Sequence, residues 1–203
     1  KLQKYASLFG LNERTGIEIE EAAPQIANEF PVMAAIGQSN NNYTTVQLAR
    51  YVTAVANEGT VYQYTLLNRL EDSDGNVLQT FEPQVRNQID VLDTEEWNAI
   101  HSGMRMVVEN TKEFDGFPIE AAGKTGTAQQ NLKRPNHALF VGYAPYDDPE
   151  ISIATRIAYG YTSHNAAKLA RNVFAYYFNV ENEDELLNGQ AANGNSSSNE
   201  ISD

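Results

Sequence analysis

One stretch decides the fold of this chain: Ala121-Ala122-Gly123-Lys124-Thr125-Gly126-Thr127-Ala128-Gln129. The stretch has the character of a β-strand, yet it contains two glycines and a lysine. A glycine inside a strand contributes no side-chain packing and usually marks a close backbone approach. A lysine that is even partly buried needs an anionic partner to offset its lost hydration. We therefore expect this strand to present a cation and an accessible backbone to an anionic group.

The composition is that of a folded, acidic globular protein. The 203 residues are 41% hydrophobic and carry a net charge of −13, so the chain has enough apolar material for a core. Binding to nucleic acid or to anionic lipid requires a basic surface, and the net charge argues against both. The sequence contains no cysteine, which excludes disulfides, thiol catalysis and thiolate metal sites. No metal or cofactor is implied.

The segment from 119 to 178 has the most regular pattern. Strand-like runs occupy residues 119–129, 137–146 and 150–159, and the short turn between the last two predicts an antiparallel pair. A helix is predicted over 164–178. Its expected buried side consists of these residues: Ala167, Leu169, Ala170, Val173, Phe174 and Tyr177.

Three further helices are predicted upstream, over 2–9, 44–57 and 94–110. The second can be capped by Thr44 or Thr45, and the third by a capping box of Asp93 and Glu96. Helices combined with antiparallel strands predict an α+β fold, a mainly antiparallel sheet with helices packed on its faces.

The remaining segments predict loops, short strands and a tail. Residues 22–42 are rich in proline and asparagine and predict a loop. Short strands are expected at residues 17–19, 61–71 and 77–81. The last two flank a hairpin turn at Asp74-Gly75, and a polar connection is expected after Pro83. Residues 181–203 are acidic and Asn/Ser-rich, which predicts a disordered, solubilising tail after a folded domain of residues 1–180. Contact of this tail with a partner is the alternative.

Several stretches resemble the transpeptidase domain of penicillin-binding proteins, and in particular the C-terminal half of the class B type. The resemblance begins with Lys124-Thr125-Gly126-Thr127 on the first of the three final strands. The other matching stretches follow the family's order over about residues 5 to 178: 9–17, 35–38, 44–49, 103–108 and 137–145. Two positions depart from the family's pattern, where Asn12-Glu13 replaces a glycine-lysine type pair and Ser39 replaces a glycine.

This resemblance implies a partial penicillin-binding, β-lactamase-like transpeptidase fold and a serine acyl-transfer reaction on peptidoglycan stem peptides and β-lactams. Lys124 is implied as catalytic and substrate-binding, holding the serine of a Ser-x-Asn motif and attracting the substrate carboxylate. The hydroxyls of Thr125 and Thr127 are implied to line the site, Thr127 being favoured for the carboxylate. Gly126 is implied to let the substrate backbone lie along the strand, and the Thr127 N–H to form half of the oxyanion hole.

The nucleophile of that family is not found in the sequence. No serine is followed by lysine three positions on. Ser39-Asn40-Asn41 stands downstream of Thr15-Gly16, where the family places Ser-x-Asn upstream, and Ser197-Ser198-Asn199 is in the tail. We therefore expect the Ser-x-x-Lys and Ser-x-Asn motifs in a part of the parent protein that precedes Lys1, and we expect the isolated chain to be inactive.

The resemblance further implies a location on the extracytoplasmic face of a bacterial membrane, with an N-terminal anchor that this chain does not include. Implied partners are the missing N-terminal part of the parent chain and cell-wall synthesis proteins. Three functions stay open beside the transpeptidase: a β-lactam sensor, a D,D-carboxypeptidase, and a non-catalytic assembly module. His137 is interpreted as a strand-end residue near the cleft, with a ligand or base as the alternative, and Tyr159 as sheet packing that could rim the groove.

Overall fold

A computed structural model describes residues 1–182 and residue 186, and the chain divides into two units, Lys1–Asn98 and Ala99–Asp203. The first unit contains α1 (Leu2–Leu8), α2 (Pro31–Ala35), α3 (Thr45–Ala56), β1 (Thr60–Gln63), β2 (Arg69–Glu71), β3 (Val77–Thr80) and β4 (Gln84–Gln88). Helix α4 (Thr94–Glu109) spans the division. The second unit contains β5 (Ala122–Ala128), β6 (His137–Ala144), β7 (Ile151–Ile157) and α5 (Ser163–Tyr177). The predicted α+β fold is confirmed.

Local capping signals begin the helices where the sequence predicts. The Thr44 hydroxyl accepts from the Gln47 N–H at 3.2 Å, while the Gln47 side chain accepts from the Thr44 N–H at 2.7 Å, which is a full capping box. Asp93 and Glu96 form the same pair of bonds before α4, at 2.9 and 3.0 Å. The predicted cap at Thr44, the predicted capping box of Asp93 and Glu96, and the three upstream helices are therefore confirmed.

Four expectations for the first unit are wrong. Residues 17–19 form no strand. The predicted run 61–71 contains parts of two strands, because β1 pairs with β4 whereas β2 pairs with β3. The polar connection expected after Pro83 contains strand β4, which is exposed along its whole length. Because none of its residues is buried, the strand has no alternation of apolar and polar residues that could have predicted it. Helix α2 lies inside the predicted loop 22–42, with Pro31 at its first position.

The second unit is built on a three-stranded antiparallel sheet in the order β5-β6-β7. Helix α5 packs on one face of this sheet, where Phe140 and Phe174 share a core with these alanines: Ala138, Ala144, Ala166, Ala167 and Ala170. Small alanine side chains let the helix lie close to a sheet face that carries a large aromatic ring. The three predicted strands and the helix are confirmed, and no end differs from its predicted position by more than three residues.

The buried side of α5 is narrower than predicted. Ala167, Ala170 and Phe174 are buried, but Leu169, Val173 and Tyr177 are 44%, 38% and 46% exposed. The residues of α5 that pack on the sheet are therefore mainly its alanines. The predicted tail of residues 181–203 lies outside the described residues except for Glu181, Asn182 and Leu186. In the described part of the chain, no helix has both the length and the apolarity needed to cross a bilayer.

Candidate active site

Strand β5 carries the Lys-Thr-Gly-Thr sequence at an edge of the sheet. One side of β5 pairs with β6 over its whole length, from Ala122 opposite Tyr143 to Ala128 opposite His137. Among the described residues, no strand pairs with its other side. An edge strand presents a row of N–H and C=O groups to which an extended peptide can bond. The strand singled out by the sequence therefore has the geometry of a peptide-binding edge.

The side chains of the four predicted site residues alternate between the two faces of the sheet. Thr125 lies opposite Phe140 and Thr127 opposite Ala138, and both partners belong to the core beneath α5. Lys124 and Gly126 lie on the other face, opposite Val141 and Leu139. Lys124 is exposed and the other three are half-buried. The structure thus brings the four together along one strand, with a cation on one face and two hydroxyls on the other.

The Lys124 ammonium donates a hydrogen bond to the carbonyl of Thr125 at 3.0 Å. Lys124 forms no ion pair with any described residue. Its charge is therefore not neutralised by these residues, and a bound anion can approach it. Among the described residues, no three carboxylate or imidazole side chains come together as metal ligands.

The two glycines of β5 differ in how much room the surrounding residues leave for a side chain. A Cβ added at Gly123 would stand 2.3 Å from Cζ of Phe140 and 2.8 Å from the carbonyl oxygen of Val141. Core packing alone thus requires glycine at Gly123. A Cβ at Gly126 would meet only the Leu139 Cβ, at 3.4 Å. Packing among the described residues therefore tolerates a side chain at Gly126.

The end of the sheet next to Ala128 holds a cluster around His137. Nδ1 of His137 accepts from the Tyr159 N–H at 3.0 Å, and Nε2 lies 3.0 Å from Oε1 of Gln130. Nη2 of Arg156 lies 3.5 Å from both ring nitrogens. Burial, and secondarily the charge of Arg156, lower the pKa of His137 from its usual 6.5. The expectation that His137 is a strand-end residue agrees with its position at the start of β6.

The Ser-x-Asn strings have structural roles in the described residues. Ser39 donates to the Glu29 carbonyl at 2.6 Å, and Asn41 accepts from the Ala27 N–H at 2.8 Å, so this string closes a loop. A third string, Ser163-His164-Asn165, escaped the sequence reasoning, although the letters alone could have revealed it. It begins α5, where Ser163 is buried against the core and Asn165 donates to the Gly160 carbonyl. Ser197-Ser198-Asn199 lies outside the described residues.

A buried polar network joins the resembling stretch 9–17 to helix α3. Arg50, which is 1% exposed, donates to the carbonyls of Gly10, Glu13 and Arg14. Sequence reasoning missed Arg50, because a charged residue on a helix ordinarily predicts a solvated face. Glu13, one of the departures from the family's pattern, pairs with Arg86 at 2.9 Å. Hydrogen bonding and charge from Arg86, with the charge of Arg50, lower the pKa of Glu13.

The sequence of the chain has relatives among known proteins. Residues 1–175 match the penicillin binding protein transpeptidase domain family. The chain is 32% identical over 215 residues to peptidoglycan D,D-transpeptidase MrdA of Haemophilus influenzae, covering 88% of this chain and 33% of that protein. It is 27% identical over 218 residues to penicillin-binding protein 2A of Bacillus subtilis, covering 94% and 30%. The chain therefore spans about a third of the length of these curated relatives.

Solved structures share the fold. Penicillin-binding protein 2B from Streptococcus pneumoniae has a TM-score of 0.76 at 24% identity, covering 88% of this chain and 32% of that one. Penicillin-binding protein A from M. tuberculosis, in an imipenem acyl-enzyme complex, has a TM-score of 0.75 at 22% identity, covering 85% and 40%. A chain of a peptidoglycan synthase complex has a TM-score of 0.74 at 24% identity, covering 89% and 33%. Because the family match extends over 175 of the 203 residues, this chain belongs to the penicillin-binding protein transpeptidase domain family.

Proposed function

We propose that the chain is part of a peptidoglycan D,D-transpeptidase that cross-links stem peptides through an acyl-serine and binds β-lactams. The observation that carries this proposal is the Lys124–Thr127 sequence on an edge strand of a domain of this family. The relative from H. influenzae, which is named a peptidoglycan D,D-transpeptidase, supports the same activity.

The reaction proposed for the parent protein proceeds in two acyl transfers. A serine oxygen forms an ester with the penultimate D-alanine carbonyl carbon, the peptide C–N bond breaks, and the terminal D-alanine leaves with the serine proton. The amine of a second stem peptide then attacks the ester, forms the new amide, and returns a proton to the serine. A β-lactam enters the first step, with its ring amide in place of the peptide bond.

Strand β5 is proposed to form one wall of the site. The Lys124 ammonium attracts the terminal carboxylate of the peptide and holds the Ser-x-Asn hydroxyl. The solvent-exposed hydrogen bond from Lys124 to the Thr125 carbonyl supports a direction for this carbonyl away from β6, toward the open edge of β5. Because backbone direction repeats every two residues in a strand, the Thr127 N–H points the same way, as an oxyanion donor must. Of the two threonine hydroxyls, that of Thr127 is favoured for the carboxylate, and Gly126 leaves room for the peptide backbone.

The complementary wall is proposed to come from elsewhere in the parent protein. The sequence contains no Ser-x-x-Lys, and the chain spans about a third of its curated relatives. We therefore assign the nucleophile, its lysine and the Ser-x-Asn motif to a preceding part of the parent. Residues 1–180 are then the C-terminal portion of the transpeptidase domain and 181–203 a tail, and the isolated chain is inactive.

The proposed setting is the extracytoplasmic face of a bacterial membrane, with the anchor in the preceding part of the parent. Stem peptides and β-lactams are the small partners. Cell-wall synthesis proteins are the macromolecular partners, and support comes from the structural neighbour that belongs to a peptidoglycan synthase complex. No nucleic acid is expected, given the net charge of −13.

The proposal is tested on the full-length parent protein with a fluorescent penicillin and with stem peptides. Covalent labelling together with cross-linked peptide dimers is the expected result. Labelling with release of D-alanine alone would identify a D,D-carboxypeptidase, and labelling without turnover a β-lactam sensor. A parent protein that takes no label would contradict acylation and favour a non-catalytic assembly module.

A further inference from the structure

The stretch from residue 64 to residue 88 exposes a large amount of apolar surface. Strands β2 and β3 within it contain no buried residue. Six large apolar side chains of the stretch are each at least 40% exposed: Leu66, Leu67, Leu70, Val77, Leu78 and Val85. A two-stranded hairpin without a buried face is marginally stable on its own, and exposed apolar patches mark interaction sites. The β2–β3 hairpin therefore has the character of a surface that another chain covers.

A cleft of about 420 Å³ lies at the base of this hairpin. The Phe81 N–H donates to the Asn68 carbonyl at 2.9 Å and closes the hairpin at this end. The cleft is lined by residues from β1, from the end of β3, from the start of β4 and from the connections between them: Gln63, Thr65, Thr80, Phe81, Glu82 and Gln84. Two of the most exposed leucines stand close along the chain, Leu66 directly after Thr65 and Leu78 two residues before Thr80. The cleft thus combines an aromatic ring in its lining with apolar side chains on the segments that adjoin it.

Two carboxylates are placed at the cleft. Glu82 lines it. Glu18 accepts from the Thr65 hydroxyl at 2.6 Å and from the Leu66 N–H at 2.8 Å. These bonds, that of the Leu66 N–H first, lower the pKa of Glu18, so this carboxylate is charged at neutral pH. Glu18 and Glu82 are exposed, and neither forms an ion pair with a described residue.

The hairpin supplies no cation to neutralise these carboxylates. Residues 70–85 contain four acidic residues and no lysine, arginine or histidine. The arginines on either side are already paired, Arg69 with Glu71 at 2.5 Å and Arg86 with Glu13 at 2.9 Å. A surface lined by charges of one sign attracts ligands of the opposite sign. The charge and the apolar surface together are complementary to a cation that stands next to an aliphatic group.

We propose that the cleft binds a short segment of a partner protein in which lysine or arginine side chains stand next to aliphatic ones. The cations pair with Glu18 and Glu82. The aliphatic side chains pack on Phe81 and on the neighbouring Leu66 and Leu78, and the segment covers the hairpin surface that this chain leaves exposed. The inference goes beyond the proposed function and does not depend on it, because it involves the first unit alone and no residue of β5.

The test measures the binding of labelled synthetic peptides to the full-length parent protein by fluorescence anisotropy. The first peptide is a nonapeptide of alternating lysine and valine. In the second peptide glutamate replaces lysine, and in the third serine replaces valine. We expect the lysine–valine peptide to bind about ten-fold more tightly than either of the others, since it alone supplies both the charge and the apolar contact. Its affinity is expected to fall as salt is added.

A first pair of variants locates the charge. Glu18→Gln combined with Glu82→Gln removes both carboxylates of the cleft and is expected to weaken binding of the lysine–valine peptide about ten-fold, the scale of two exposed ion pairs. Glu29→Gln combined with Glu95→Gln removes as many charges from exposed positions of the same unit. This control is expected to keep the wild-type affinity.

A second pair locates the apolar contact. Leu66→Ser combined with Leu78→Ser is expected to weaken binding about ten-fold, because it removes apolar surface that the peptide buries. The control combines Val32→Ser with Ile36→Ser, at α2 and directly after it, and is expected to keep the wild-type affinity. These four side chains are 65% to 83% exposed, so the variants are expected to fold as the wild type does.

Two results would overturn the proposal. One is equal affinity for the lysine and glutamate peptides, or an equal loss of affinity in the cleft variants and their controls. The other is a wild-type protein that binds none of the peptides, which would indicate that the parent's own preceding chain or a second copy covers the hairpin.

Discussion

The carboxylate of Glu21 binds Thr15 twice, accepting from its N–H at 2.8 Å and from its hydroxyl at 3.0 Å. The other oxygen of the same carboxylate accepts from the Thr44 hydroxyl at 3.2 Å, at the residue that caps α3. Glu21 and Thr15 are both buried. A single carboxylate therefore ties the Thr15-Gly16 turn to the start of a helix about thirty residues further along the chain.

Removing this carboxylate is expected to destabilise the first unit. In Glu21→Ala the buried N–H and hydroxyl of Thr15 lose their acceptor, which costs about 1–3 kcal/mol for an unsatisfied buried group. Denaturant unfolding of the variant measures the loss in free energy. Glu20→Ala, at the exposed neighbouring position, is the matched control and should stay within about 0.5 kcal/mol of wild type. Equal stabilities of the two variants would contradict the role assigned to Glu21.

The two glycines of β5 are expected to respond differently to alanine. Gly123→Ala places a Cβ against the backbone oxygen of Val141, which cannot move cheaply, and should cost about 1–3 kcal/mol of stability. Gly126→Ala meets only the Leu139 Cβ at 3.4 Å and should nearly keep the wild-type melting temperature. In the full-length parent it should slow penicillin acylation by about ten-fold, or roughly 1.4 kcal/mol in the barrier. A Gly126→Ala protein that is destabilised as much as Gly123→Ala would show that Gly126 serves packing.

His137 is expected to make stability depend on pH. Its pKa is lowered in the folded state by burial and by the charge of Arg156, so the unfolded chain binds more protons below the usual value of 6.5. The stabilising contribution is therefore complete above pH 6.5 and is lost as the pH falls through the lowered pKa. His137→Gln keeps an acceptor for the Tyr159 N–H but cannot titrate. Melting temperatures from pH 7.5 to 5 should fall more steeply for wild type than for this variant, and parallel curves would contradict the assignment.

The sequence predicted those parts of the fold that depend on neighbouring residues. The capping boxes at Thr44 and Asp93 and the three final strands lie where local patterns place them. Strand β4 could not be predicted, because its residues are exposed throughout and show no apolar alternation. Leu169, Val173 and Tyr177 on α5 are exposed although they were predicted to be buried. Sequence spacing alone does not distinguish apolar residues at the edge of a buried helix face from those at its centre.

In the candidate site as well, local sequence predicts some residues, and long-range contacts bring in others that it does not predict. Lys124–Thr127 is a contiguous string, and its residue types alone predict an anion-facing strand. One end of the sheet brings together four residues from separate segments, Arg134, His137, Arg156 and Tyr159, and their convergence depends on the register of β6 and β7. Arg50 likewise acts on carbonyls 36 to 40 residues away. Long-range polar contacts of this kind carry no periodic signal along the chain.

The most direct test of the central claim is the rate at which a fluorescent penicillin acylates the full-length parent protein, with and without the Lys124 charge. Among the described residues, the exposed Lys124 side chain bonds only to the neighbouring Thr125 carbonyl, so Lys124→Gln should fold with wild-type stability. If β5 is the substrate wall, the variant should acylate about 100-fold more slowly, the scale of losing one preorganised charge-stabilising donor. An unlabelled wild-type protein, or a Lys124→Gln variant acylated at the wild-type rate, would contradict the account.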